Sequence, residues 1–479
     1  MNNLNKPPKT KYRASSLDAL RGYAILTMVL SATVAYGILP AWMYHMQEPP
    51  PTHGYQPELS GLTWVDLVFP FFLFAMGAAF PFSIRKRFEK GEGRWKLVYE
   101  ALKRGVQLTF FAIFIQHFYP YMLSAPQDMR AWLLAIACFA ILFPMFMRIP
   151  LPMPEWAHTA IKLAAFGVAA AMMACTHYAA EDPFSLFTSN IIILLLANMA
   201  VFGSIVYLFT MHNWWMRVTV LVALAGIVLS AQAEGSWAQT LYAYSPLPWM
   251  YRFEYLRYLF IVLPGSMAGD LLLKWMNRPV ARPDMHEDAE APRQTAYGVL
   301  AVSVAIILVC LVGLYNRWSF LTLILSALLL WTGWWLVRRQ QGSGMLWREL
   351  FVLGAALLLV GLCFEPFQGG IKKDGPTFGY LLVTAGLGCM ALIAFHVICD
   401  YFHCRRSTAF LTMSGQNPMI AYVACDLLIY PVFHLLGLTQ WFGVFSLNAW
   451  MGFLQGVLLT ALALLVTMFF TKIKWFWRT

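Results

Sequence analysis

Charge is what this sequence has least of. Asp, Glu, Lys and Arg make up 12% of the 479 residues against 60% hydrophobic ones, which excludes a water-soluble globule of this size. The short segments of alternating polarity that a membrane β-barrel requires are missing too. Cysteine is sparse and unpatterned: the eight residues (138, 175, 310, 363, 389, 399, 404 and 425) fall mostly within or beside apolar runs, without a CxxC. That excludes a disulfide frame and makes them small buried hydrophobes. His117, His177, His396, His403 and His434 form neither HxxxH nor HExxH, so no metal is expected. A Walker-type phosphate loop, a GxSxG elbow and a cleavable signal peptide are equally lacking.

What remains is a succession of apolar runs, with a mean hydropathy of +0.61, each near the roughly 20 residues a helix needs to cross hydrocarbon. Fourteen such stretches lie near 17–40, 63–84, 104–124, 131–148, 157–175, 187–211, 214–232, 255–276, 297–315, 318–337, 347–364, 377–399, 409–436 and 449–472. The weakest are 131–148, 157–175 and the pair 297–337, so 11 to 14 spans are expected. The fold class is all-α: a polytopic transmembrane helical bundle.

The net charge of +11 points to a bilayer rather than nucleic acid, because the excess sits in short segments beside the spans. These are Lys6, Lys9, Lys11 and Arg13, the 85–104 loop, 274–294, 338–348, Arg405–Arg406 and the tail 472–478. With fourteen spans they share one side, which places both termini in the cytoplasm. Loops 41–62, 176–186, 233–254, 365–376 and 437–448 face the other compartment, with Lys372 and Lys373 as exceptions to their low basic content. The Pro-containing charged interval 274–294 divides an N-terminal half, 1–273, from a C-terminal half, 295–479, with no internal repeat between them.

The polar residues of interest gather between Ser16 and Pro81. Asp18 and Arg21 stand at the mouth of the first span, His45 and His53 in the following loop, and Asp66 early in the second span. An ionisable group at membrane depth is costly and marks a functional site by default. Asp66 could equally be a helix-start carboxylate interacting with the dipole, and Asp18–Arg21 a structural ion pair.

These residues carry a resemblance. The segments LDALRGYAILTMVL and GLTWVDLVFPFFLFAMGAAF, with Trp42 and His45 in the loop between them, are similar to the opening of the heparan-α-glucosaminide N-acetyltransferase family of multispanning acyltransferases. GQNPMIAYVACDL, with Gly415, Asn417, Tyr422 and Asp426, is similar to a second family segment. The chain departs from the animal members in carrying Ser31-Ala32 late in the first span, and in a longer loop with two histidines. The resemblance implies an enzyme passing acetyl from cytoplasmic acetyl-CoA to an amino sugar on the far side. It also implies a helix number nearer eleven.

For that chemistry the acceptor amine must lose a proton. Histidine suits the task as general base, or as a carrier of the acetyl group. His45 is the first candidate, His53 the second and Asp66 the orienting carboxylate. Arg21, with Asp18 beside it, is a candidate for the coenzyme phosphates, since guanidinium binds phosphate in a forked manner. Asn417, in a span broken at Pro418, is expected to touch the reaction chamber and is grouped with the coenzyme site. Trp42 with Glu365, Gln368, Lys372, Asp374 and Tyr380 of the loop EPFQGGIKKDGPTFGY would recognise the sugar, although an interfacial aromatic belt also explains such residues.

The expected function is thus an acetyl-CoA-dependent N-acetyltransferase of a bacterial inner membrane, with an amino-sugar or glycan acceptor and no metal. The alternative is a secondary transporter of a sugar or amino sugar, which would use the same broken helix and sparse buried charges. A lipid or polysaccharide O-acyltransferase comes third. Oligomeric state stays open, a homodimer being one option.

Overall fold

A computed structural model describes residues 14–150, 152–179, 184–278 and 291–478. The basic residues Lys6, Lys9, Lys11 and Arg13 and positions 279–290 of the 274–294 interval lie outside the described residues.

All fourteen apolar stretches are helical. In chain order they are α1 (Ser15–Thr33), α2 (Trp64–Phe80), α3 (Arg94–His117), α4 (Met129–Phe146), α5 (Glu155–Cys175), α6 (Ile191–Thr210) and α7 (Trp214–Ser230). There follow α8 (Leu259–Met276), α9 (Arg293–Tyr315), α10 (Ser319–Val337), α11 (Ser343–Phe364) and α12 (Phe378–Phe395). The thirteenth stretch is interrupted, as α13 (Ala409–Gln416), α14 (Pro418–Ala424) and α15 (Tyr430–Leu435), and α16 (Ala449–Lys472) closes the series.

Eleven of these spans are long and apolar enough to cross a membrane, so the chain is a polytopic helical bundle. The other three are α1, α3 and α7. Helix α1 opens on Asp18 and Arg21, α3 carries Arg94, Lys96, Glu100, Lys103 and Arg104 along its first half, and α7 has 17 residues. Two boundaries move from their expected places. Helix α1 stops at Thr33 rather than near 40, because Val34 turns extended; α3 starts ten residues early, after Gly93, because its charged first half lies at the end of the bundle beside the basic loop. In that loop Arg87 and Lys96 surround Glu92 and hold its carboxyl down at about 2, so it stays ionised at any physiological pH.

Burial orders the bundle. Helix α12 and helix α2 are buried along nearly their whole length, whereas α5, α10 and α16 bury only a narrow stripe. A helix apolar on every side belongs in the middle, or against lipid on its free face. One continuous core takes residues from Leu17 to Trp477, so the two halves of the chain pack as one body. One close seam joins α2 to α8, which run in parallel: a Cβ on Gly265 would lie 2.3 Å from the Phe74 carbonyl oxygen, and one on Gly269 2.3 Å from that of Ala78. Small residues four apart allow this backbone contact, the usual means of helix association where lipid removes the hydrophobic drive.

The helix ends form two faces. On one, which carries the described basic loops, Arg85 lies near Asp270, Lys274 pairs with Glu349 and Arg278 reaches the Gly342 carbonyl. On the opposite face the loop 34–63 meets the loop 365–377, joined by the Gly61 amide donating to the Ile371 carbonyl at 2.8 Å.

Candidate active site

On that opposite face Asp66 occupies the third position of α2, and its carboxylate is shared between two tasks. Oδ2 accepts from the Thr63 amide (3.1 Å), the Thr63 hydroxyl (3.0 Å) and the Met46 amide (3.2 Å). These bonds complete a capping box at the start of the helix, satisfying donors that would otherwise be orphaned. Oδ1 remains for His45, whose Nδ1 lies 2.8 Å away. The helix-start and imidazole-orienting roles weighed for Asp66 therefore coexist on its two oxygens. Asp66 is buried, while the His45 side chain is 31% exposed, so the carboxylate is fixed and the ring reaches solvent.

An Nδ1–H directed at Asp66 leaves the lone pair of the neutral ring on Nε2. Lys373 Nζ stands 3.2 Å from Nδ1 and 3.3 Å from Nε2. Near-equal distances to both nitrogens put the ammonium over the ring rather than at the end of the Nε2 lone pair. Gln47, buried and central to this arrangement, holds the lysine's backbone: its Oε1 accepts from the amides of Lys373 (3.1 Å) and Asp374 (2.8 Å), and its Nε2 donates to the Asp374 carbonyl at 3.3 Å.

The remaining expected residues divide. Tyr380 donates to the Asp66 main-chain carbonyl at 2.8 Å. That carbonyl would otherwise serve residue 70, which is Pro70 and has no N–H, so the tyrosine repairs the helix rather than facing a sugar. Gln368 accepts from the Phe378 amide at 2.7 Å, at the first turn of α12. Lys372 turns away toward Glu58 (3.5 Å), and Glu365, buried, pairs with Arg317 at 3.6 Å. Asp374 stays nearer, with its carboxylate 4.0 Å from Lys373 Nζ. Trp42 lines a cavity of about 510 Å3 together with Thr63, Trp64, Leu308, Val312 and Tyr315, directly beside the capping box.

His53 is not brought to the His45 ring's partners. It takes a left-handed backbone (φ 51°), and its ring lies 3.7 Å from that of Tyr36 and 4.5 Å from that of Tyr44, with Nδ1 3.2 Å from the Glu48 carbonyl. Asp18 and Arg21 form their ion pair at 3.5 Å, and Arg21 also donates to the Gly415 carbonyl at 3.2 Å. Asn417 does mark the expected break. Its side chain, however, binds the C-terminal tail, donating to the Trp475 carbonyl at 2.8 Å and accepting from the Trp477 amide at 3.2 Å.

A second ionic centre was not singled out from sequence. On the basic face Arg217 of α7, 1% exposed, pairs with Asp270 of α8 and donates to Ser266 Oγ at 3.0 Å, and Tyr207 of α6 donates to the other Asp270 oxygen at 2.9 Å. The signal was available: Asp270 lies inside an apolar stretch just as Asp66 does. In the sequence Lys373 stands out only as a basic residue in a loop otherwise poor in them.

Residues 13–272 match the family model described as Domain of unknown function (DUF5009). The chain belongs to that family. No curated protein matches it. The DUF5009 match spans α1 to α8 and so contains His45, Asp66, Arg217 and Asp270, while Lys373 and the rest of the 365–377 loop lie beyond it. Among the described residues no group of three or more His, Cys, Asp or Glu is placed to hold a metal ion.

Proposed function

We propose that the chain is a membrane-embedded acetyltransferase that uses His45 to pass acetyl from acetyl-CoA to the amine of an amino sugar. The observation that carries this reading is the 2.8 Å contact between His45 Nδ1 and a carboxylate whose other oxygen is already anchored by three donors. A histidine fixed in this way has one tautomer and one free nitrogen, the arrangement that acyl-transfer chemistry uses.

In the direct route Nε2 accepts a proton from the acceptor amine as its nitrogen attacks the thioester carbonyl. The C–S bond then breaks, and the proton returns from the imidazolium to the departing thiolate. In the stepwise route Nε2 itself attacks, holds the acetyl group as an acylimidazole after the thiolate leaves, and yields it to the amine. General-base help of this kind typically contributes about 10²- to 10⁴-fold. Lys373 would place positive charge beside the oxygen that becomes negative in either route. Trp42 offers a ring face next to this position for the sugar, and Asp374 an acceptor for its hydroxyls. Acetyl-CoA delivered from the basic face has about 30 Å of α2 to traverse between Arg85 and Asp66, which places the reactive imidazole at the far end of the path. The Asp18–Arg21 mouth stays a proposed contact for the coenzyme, although both side chains already have partners within the protein.

Purified protein given acetyl-CoA and glucosamine tests the reading by release of free CoA thiol and by mass of the sugar product. Acetylglucosamine formed by the native chain and abolished in His45→Ala supports it. No thiol release and no acetylated sugar would sink it, and uptake of unmodified glucosamine by proteoliposomes would favour a carrier instead.

A further inference from the structure

A cavity of about 810 Å3, larger than the one beside Trp42, opens on the basic face beside the second ionic centre. Four cations line it, Arg85, Arg217, Lys274 and Arg348, against two carboxylates, Asp270 and Glu349. The pairing leaves one cation over: Asp270 is taken by Arg217, Glu349 by Lys274 at 3.2 Å and Arg85 by Glu89 at 2.8 Å, and among the described residues no carboxylate pairs with Arg348. Arg217 is buried in the wall, yet its Nε has no hydrogen-bond partner among the described residues.

The rest of the lining has a different chemistry. Trp334, Val352 and Ala356 come from α10 and α11, and the outward side of α10 is a row of exposed apolar residues including Leu328, Trp331 and Trp335. In a bundle of this class such a surface lies against acyl chains. Trp214 and His212 stand at the rim, where interfacial aromatics collect. The cavity is thus cationic toward the helix ends and apolar toward the lipid.

We propose that it holds the headgroup phosphate of an anionic phospholipid, with the acyl chains running along α10 and α11. Phosphate oxygens meet Arg348 and Lys274, the two cations of the lining that stand on α11 and at the end of α8. Basic pockets between transmembrane helices recognise anionic headgroups on this physical basis. A soluble phosphate ester such as coenzyme A shares the polar half of the match but leaves the apolar wall unused. The inference does not depend on the acetyltransferase reading.

The test uses the full-length chain, stripped of lipid in neutral detergent and then given phosphatidylglycerol, phosphatidylcholine or coenzyme A. Native mass spectrometry reads retention, and thermal unfolding reads stabilisation. Phosphatidylglycerol is retained and raises Tm, phosphatidylcholine is not retained, and Arg348→Gln and Lys274→Gln each weaken retention about fivefold. Arg405→Gln, which removes an exposed charge on the same face outside the cavity, leaves retention unchanged. Arg217 is left intact, so the folding of its buried pair is not at stake. Equal retention of the two lipids, an equal effect of Arg405→Gln, or stabilisation by coenzyme A with phosphatidylglycerol inert would each overturn the proposal.

Discussion

The two ionic centres on the α2–α8 pair sit on opposite faces and are built in opposite ways. At the His45 end a buried carboxylate is pinned by main-chain donors and presents a ring that reaches solvent, under a lysine from a distant loop. At the Arg217 end the cation itself is buried, and three helices contribute to holding it. The first centre keeps its order even if the imidazole leaves, because Asp66 still caps α2. The second has less reserve on its cationic side: Asp270 alone keeps Tyr207 and a nearby Arg85, but Arg217 alone keeps only Ser266 and is a buried charge in a poorly polar setting. One centre therefore presents its ionisable ring to solvent, and the other keeps its cation buried.

The contrast is broken most severely at Asp270. Asp270→Leu strands Arg217 and is expected to cost about 3–5 kcal/mol, while Arg217→Met combined with Asp270→Leu recovers most of that loss; thermal unfolding in detergent and the yield of folded protein measure both. At the other end the largest effect falls on rate rather than stability. If the chain is the acetyltransferase proposed above, His45→Gln lowers acetyl transfer by about 10²- to 10⁴-fold and costs about 1 kcal/mol of stability, read from CoA-thiol release and from Tm on the same preparation. If Tm falls as far as it does in Asp270→Leu, the comparison fails.

Lys373→Met sharpens the assignment further, since it removes the charge over the ring but leaves the Gln47 contacts to the main chain intact. A decrease of about 10²-fold in kcat with little change in KM for the acceptor is expected if the ammonium meets charge that develops during transfer. The smallest effect belongs to His53→Ala. It loses the contacts with Tyr36 and Tyr44, costs about 1 kcal/mol, and leaves transfer unchanged; a loss of transfer equal to that of His45→Gln would exchange the roles of the two histidines.

Much of the architecture was readable in the chain. Runs of apolar residues announce helices because a lipid-facing or deeply buried backbone must satisfy its own polar groups, and every stretch expected to be helical is helical. The three spans that fall short of membrane length or hydropathy, α1, α3 and α7, are shorter or more polar than their neighbours. Positions within the loops were less legible. His45 and His53 are eight residues apart and chemically identical, yet only one has a buried carboxylate within reach. Tyr380 looks like a sugar-binding aromatic until Pro70 is seen to leave a carbonyl without a partner. Of two adjacent lysines, one turns to Glu58 and the other to His45, a choice made by the Gln47 side chain more than three hundred residues away.

By itself the sequence determined that the chain is a bundle of apolar helices, where each helix lies, and that ionisable groups near Asp18, His45 and Asp66 need an explanation, because hydropathy and the cost of burying charge are properties of local segments. The tertiary structure alone decided which polar groups meet. It brought Lys373 to His45, Arg217 to Asp270 and Asn417 to the C-terminal tail. Such pairings depend on how helices distant in the chain pack side by side, at separations of a few ångströms that no local pattern encodes.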